Sequence, residues 1–358
     1  MSTRGGICGF LALVPIVLSS IPAQGAPGSS YQIFVSNEKS GDVTVIDGSD
    51  LKVVQTIPVG KRPRGIHVSP DGKIVYVALS GTPIEGPPQL DAKGNPIFKR
   101  DDSDDDDDKA DKSADGIGVV DVAQKKLTRK ISVGSDPEEF SLSKDGTRLY
   151  VSNEDIKTAS VINVVTGTIE HIIPVGQEPE GVSTTPDGKS LYITCETGGE
   201  IFVVDTASFK TITHFKVNAR PRSVDFSLGT GRGFIPSESV GELNVIDFVN
   251  HKLLKTITLP AGSRPMRVKV SPDDRKIYVS NGRAGTVSVL DIDSYEVLNT
   301  IKVGTRPWGI AISPDGKYLY TANGPSNDVS VVDLQANQEI ARIKAGSSPW
   351  GIVVVPAQ

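Results

Sequence analysis

Cysteine, histidine, methionine and tryptophan are all scarce in this chain, which holds two, four, two and two of them among 358 residues. Cys8 falls in an apolar amino-terminal run. Cys195 is then the one cysteine of the rest, so no intrachain disulfide is available and packing must hold the fold. No Cys-x-x-Cys-His occurs, which excludes covalent attachment of c-type haem. His67, His171, His214 and His251 lack metal-ligand spacing and read as surface or satisfied core residues. A Gly-x-Ser-x-Gly elbow, a His-Glu-x-x-His pair and a Walker-type loop are missing too. These absences weigh against common enzyme classes without excluding catalysis. The adjacent carboxylates Glu138 and Glu139 could do acid–base work.

Long hydrophobic runs are equally few. Ile7 to Ile21 follow Arg4 and precede Ala23-Gln24-Gly25, the pattern of a secretory signal over residues 1–25, too short for a convincing membrane span. The mature chain, 26–358, is therefore expected to be exported, periplasmic or secreted. An uncleaved amino-terminal anchor is the alternative.

What is abundant is turn chemistry: 36 glycines and 24 prolines. Much of it repeats. Pro63, Pro137, Pro179, Pro221, Pro265, Pro307 and Pro349 open seven related segments, spaced by 74, 42, 42, 44, 42 and 42 residues. In the sixth, an apolar alternation (Gly309 to Ser313) leads to the turn Ser-Pro-Asp-Gly, where proline presets φ and glycine accepts a positive one. An aromatic strand (Tyr318 to Ala322), a Val-x-Val strand ending at Asp333 and a fourth run (Ile340 to Ala345) follow. Four short strands in about 42 residues predict one propeller blade.

The third strand closes at Asp47, Asp121, Asn163, Asp205, Asp247, Asp291 and Asp333, seven times, whereas the turn after the first strand occurs six times. The chain thus starts on a second strand (Gln32 to Ser36) and ends on a first (Gly351 to Val355). The reading is all-β: a seven-bladed propeller of four-stranded blades, its ring closed by the C-terminal strand joining three N-terminal strands. Asn37, Asn153, Asn281 and Asn323, closing second strands, read as turn residues rather than ligands.

The long first spacing marks an insertion at about 82–113. It carries Pro83, Pro87, Pro88 and Pro96 and an acidic tract, and reads as a solvated loop, at least partly disordered. Residues 101–112 contribute −6 against −5 for the whole chain, leaving the propeller near +1. Neither net charge nor a basic stripe with interleaved aromatics points to nucleic acid. Asp111, Ser113 and Asp115 offer alternate oxygens as a calcium loop would. Val122, however, stands where an EF-hand needs its closing carboxylate. An electrostatic arm for a basic partner is the third reading of the tract.

In a propeller the turn into the innermost strand and the loop between strands two and three share one face. The candidate site is therefore a rim of opposed charge blocks: Arg62, Arg64, Glu138, Glu139, Glu178, Glu180, Arg220, Arg222, Arg264, Arg267 and Arg306. Both tryptophans, Trp308 and Trp350, follow a motif proline on neighbouring blades. Two roles stand open: contact anchors for a partner or ligand, or glue between blades.

"YVSN" at 150–153 and 278–281, with "YITC" and "YTAN" in register, resembles the YVTN-repeat β-propellers. "FVSNEKSGDVTVID", "RPRGIHVSPDG", "DPEEFSLSKDG", "EPEGVSTTPDGK" and "PWGIVVV" are similar, in that order, to the PQQ-dependent catabolism-associated subgroup. The acidic insertion and "SRPMRVKV" depart from its pattern. The resemblance implies an exported protein acting beside quinoprotein alcohol dehydrogenases or c-type cytochromes, with no established activity of its own. The expectation drawn from the residues is a monomeric, non-enzymatic binding protein, in which the dedicated ligands of a bound PQQ are not found. A lactonase-like hydrolase or lyase using rim carboxylates and a cell-surface adhesion protein are the rival expectations.

Overall fold

The computed structural model describes residues 31–84 and 110–357; the segment expected to be a signal and most of the acidic insertion lie outside them. The described residues form 28 strands in seven four-stranded antiparallel sheets and no helix. Blades are numbered here from the first complete one. Their innermost strands are Ile66–Val68, Pro137–Leu142, Pro179–Thr184, Asp225–Ser227, Pro265–Val270, Pro307–Ile312 and, in blade 7, Pro349–Pro356.

Blade 7 is the expected composite. Pro349–Pro356 pairs antiparallel with Tyr31–Asn37, Gln32 opposite Val355 and Val35 opposite Ile352, and Asp42–Asp47 and Val53–Pro58 complete the sheet.

Second and third strands are buried on both faces, which is why they read as near-continuous apolar runs. Their side chains form seven clusters, one in each seam between blades. Tyr31, Ile33 and Val35 of blade 7, for example, meet Tyr320, Ala322 and Val331 of blade 6. Each such buried side chain contributes roughly 1.5–3 kcal/mol. Outer strands are largely exposed.

The repeated polar residues have local duties. Asp247 Oδ1 accepts the amides of Val249 and Asn250, both at 2.9 Å, and Asp333 those of Gln335 and Ala336, both at 2.8 Å, forming the Asx turns into the fourth strands. The asparagines closing second strands act across strands as well as at turns: Asn153 Nδ2 donates to Thr158 at 3.0 Å and Ser160 at 2.9 Å. These amides sit so close to the incoming chain that a Cβ on Gly304 would lie 2.4 Å from Asn323 Nδ2.

The two blades with arginine after the motif proline depart from the pattern. Their innermost strands shrink to three residues. In blade 4, Pro236 lies opposite and has no N–H to return the bond that Arg222 N makes to its carbonyl at 3.1 Å.

Candidate functional site

Every blade enters its innermost strand in the same way. The residue before the motif proline takes a left-handed conformation, with φ of 47° at Arg62, 46° at Asp136, 49° at Glu178, 61° at Arg220, 49° at Arg264, 53° at Arg306 and 59° at Ser348. Such angles are uncommon outside glycine. Their sevenfold recurrence makes them part of the blade link, so only residue type distinguishes one rim position from another. The two residues after the proline bulge out of register in blades 2, 3, 5 and 6, which turns their side chains toward the axis. Hydroxyls of the second strands fix them. Ser152 Oγ donates to the carbonyls of Glu139 and of Glu180, each at 2.9 Å, tying blade 2 to blade 3; Ser280 does so to Trp308 at 2.8 Å and Ser36 to Arg64 at 2.5 Å.

The expected rim residues do converge, and most of their charges pair. Arg64, only 2% exposed, binds Asp136 at 2.6 Å and Glu138 at 3.1 Å on the next blade. Arg62 binds Glu38 at 3.1 Å. Arg222 contacts Glu180 and reaches Glu196 at 3.2 Å and Glu238 at 2.5 Å. Arg220 contacts Glu196 and lies 3.2 Å from Glu238. Glu139 of blade 2 meets Arg267 of blade 5 on the far side of the axis, while His67 Nε2 lies 2.8 Å from its other oxygen. The channel is crossed by that pair.

Titration follows this layout. Burial would raise Glu139, but Arg267 and His67 hold it down at about 2. Glu238, likewise buried, is held at about 2 by Arg222 and Arg220. Burial and the adjoining Glu138 push Glu154 well up, and the two share a hydrogen bond. Burial pushes Glu180 up as well; Arg222 opposes this but is outweighed once Glu138 and Glu196 add their repulsion. The funnel thus holds two carboxyl pairs, each with one member that favours its proton.

Trp308 and Trp350 stack at 5.5 Å and 23°. Arg306 lies 4.9 Å and Arg222 5.6 Å from the Trp308 ring centroid, and Arg267 4.8 Å from that of Trp350. Trp350 is 3% exposed; Trp308 is half-buried and Arg306 exposed. Arg264 is turned away, donating to the Ser239 carbonyl at 3.1 Å.

Sequence reasoning missed Glu38, Glu154, Glu196 and Glu238, which complete the ion pairs. A signal existed: each follows the residue closing a second strand, as in "SNE" and "CE". The same position holds Gly282 in blade 5 and Gly324 in blade 6, under Met266 and Trp308.

The insertion's root lies on this face. Asp115 accepts the amides of Gly81 at 2.7 Å and Asp136 at 3.2 Å, Asp111 pairs with Lys61 at 2.7 Å, and Ser113 donates to Asp111 at 2.5 Å. The oxygens expected for calcium are engaged in these bonds. Among the described residues no three His, Cys, Asp or Glu side chains are grouped to hold a metal. Two clefts of about 420 and 480 Å³ lie among the turns of the opposite face, lined by residues such as Arg232 and Asp247 in one and Arg148 and Asp187 in the other.

Residues 232–357 match the family model of the YNCE-like β-propeller, and residues 31–177 that of the choice-of-anchor I domain. The chain is a β-propeller protein. A stretch of 138 residues is 30% identical to Antigen Lp49 of Leptospira interrogans, covering 34% of this propeller and 30% of that antigen's length. In fold it is similar to the periplasmic gluconolactonase of Pseudomonas aeruginosa (TM-score 0.69, 20% identity, 92% of this chain and 100% of that one). It is also similar to hydrazine synthase of Kuenenia stuttgartiensis (TM-score 0.70, 20% identity, 89% and 99%). Among the described residues of the propeller, no helix is long and apolar enough to cross a membrane.

Proposed function

We propose that this propeller is an exported, non-enzymatic binding protein that docks a protein partner through its funnel rim. The proposed partner is a quinoprotein dehydrogenase or c-type cytochrome of PQQ-dependent alcohol oxidation. The observation that carries the docking reading is the exposed Arg306 over the half-buried Trp308, whose ring is backed by the buried Trp350. Tryptophan and arginine dominate binding energy where they stand at the centre of an interface. Below them the funnel is filled by buried ion pairs and crossed by Glu139–Arg267, which favours a surface contact over an engulfed substrate. The partner's class rests on the motif order of the sequence. The test is a crosslinked pull-down of the tagged mature protein from its host grown on an alcohol, with Trp308→Ala as control. Capture of a dehydrogenase or cytochrome that the control loses supports the reading; recovery of neither overturns the assignment of partner.

A second reading has its own support. Glu154 and Glu180 each lie beside another carboxylate and favour their protons, a property a general acid of a lactonase-like hydrolase needs. The gluconolactonase shares the fold. Turnover of glucono-δ-lactone that falls at least about 100-fold in Glu180→Gln would favour this reading; no turnover by the wild type removes it for that substrate.

A further inference from the structure

The repeat provides an internal control for the rim arginines. Arg62 on blade 1 and Arg220 on blade 4 each meet a carboxylate from the residue that follows the second strand of the preceding blade, Glu38 and Glu196 respectively. Arg306 holds the same rim position on blade 6. The residue in the donating position, on blade 5, is Gly282. Among the described residues no carboxylate oxygen lies within 4.0 Å of the Arg306 guanidinium, and that guanidinium makes no hydrogen bond. Glu238 attracts it from farther off but is already engaged by Arg220 and Arg222. Partial desolvation and repulsion from Arg222 and Arg220 lower the Arg306 pKa, the mark of a cation with too little counter-charge.

Packing holds that cation in place. Its guanidinium lies 4.9 Å from the centroid of the Trp308 ring, and Trp308 in turn stacks on Trp350. Gly324 lies beneath the indole, where a Cβ would stand in ordinary van der Waals contact with it, 3.5 Å from Trp308 Cδ1. The backbone is fixed too: Gly324 N donates to the Arg306 carbonyl at 3.3 Å. The result is an exposed, planar donor fork beside a half-exposed indole, with no acceptor of its own.

We propose that Arg306 and Trp308 form a carboxylate subsite: the guanidinium binds both oxygens of a carboxylate, and the indole contacts apolar surface next to it. This rests on the reading of the rim as the binding surface. It adds the chemistry of what binds there, a carboxylate flanked by apolar atoms. An acidic residue of a protein partner and a small carboxylic acid share that chemistry. A bidentate arginine contact supplies both strength and geometric selection.

The test uses the fact that the protein's two tryptophans both lie in the site, so its tryptophan fluorescence reports this stack alone. The mature protein is titrated with hexanoate and, separately, with hexanamide, which has the same chain without the charge. Expected is a saturable change with hexanoate, at least about tenfold weaker with hexanamide and in Arg306→Gln, and intermediate in Arg306→Lys, which keeps charge but loses the fork. Near-ultraviolet circular dichroism confirms that the variants are folded. Equal responses to the two ligands, or an undiminished hexanoate response in Arg306→Gln, overturn the subsite. The partner reading fails separately. Arg306-dependent hexanoate binding with no partner in the pull-down assigns the subsite to small carboxylates; capture of a partner unchanged by Arg306→Gln leaves docking intact and removes the subsite.

Discussion

Glu139 and Arg267 belong to blades 2 and 5 and meet across the axis of the ring. Other ion pairs of the funnel, such as Arg64–Asp136 and Arg222–Glu196, join adjacent blades. This one braces the ring at its centre.

Arg267→Met would leave Glu139, 2% exposed, with only His67 opposite its charge. Removing one partner of a buried pair costs about 3–5 kcal/mol; because Arg267 keeps some exposure, a loss near 2–3 kcal/mol is expected. The double variant Glu139→Gln/Arg267→Met should recover part of that loss, because no uncompensated charge remains. Urea unfolding of the wild type, Arg267→Met, Glu139→Gln and the double variant gives the coupling energy. Additive losses would show that the pair does not brace the ring.

The carboxyls give stability a pH dependence of two opposite signs. Glu139 and Glu238 are held near 2, below the ordinary carboxylate value, so their contribution is complete above that value and is lost as pH falls toward 2. Glu154 and Glu180 are raised, so theirs is complete below the ordinary value and is lost as pH rises through the folded one. Glu180→Gln mimics the protonated form and should flatten the decline on the alkaline side while leaving the acid limb unchanged. Denaturation midpoints across pH 3 to 9 decide this. An unchanged alkaline limb would mean Glu180 is ionised in the folded state.

A third prediction concerns how closely the blades fit. Gly304→Ala places a methyl 2.4 Å from Asn323 Nδ2 and 2.7 Å from Asp328 Oδ1, where φ is not the obstacle. Overpacking of this kind costs typically 1–3 kcal/mol. Trimming the obstructing amide in Gly304→Ala/Asn323→Ala should cost less than the sum of the single changes. A wild-type melting temperature for Gly304→Ala alone would contradict the crowding.

What was legible in the sequence was periodic. Proline spacing, the Asp or Asn residues closing third strands and the missing seventh turn each follow from local chemistry repeated in register, and together they require the seven blades and the clasp. The rim was legible as a set of positions for the same reason. Its pairings were not: residue order assigns Glu139 and Arg267 to blades but carries nothing about the reach of either side chain over the axis. The missed glutamates at 38, 154, 196 and 238 were hidden differently. Their position is constant, but Ser80, Gly282 and Gly324 interrupt the pattern, and Gly282 leaves Arg306 without a carboxylate. The role of Asp115 at the root of the insertion was not legible either, because its partners, the backbone amides of Gly81 and Asp136, carry no side-chain signature.

The clasp should decide whether the ring exists at all. Ending the chain after Ser348 removes the innermost strand of blade 7, leaving one edge of Tyr31–Asn37 unpaired. Ile352 is lost from the seam with blade 6 and Val355 from the seam with blade 1. With Trp350 also gone, the missing burial amounts to about 1.5–3 kcal/mol for each large side chain. That loss is comparable to the roughly 5–15 kcal/mol by which a domain is stable, and the exposed edge invites aggregation. The truncated protein should therefore lack a cooperative thermal transition. A synthetic peptide of residues 346–358 should restore the transition with a concentration-dependent midpoint, because it binds the folded state alone. A truncated chain that melts within about two degrees of the full one would mean the six complete blades hold the ring without the clasp.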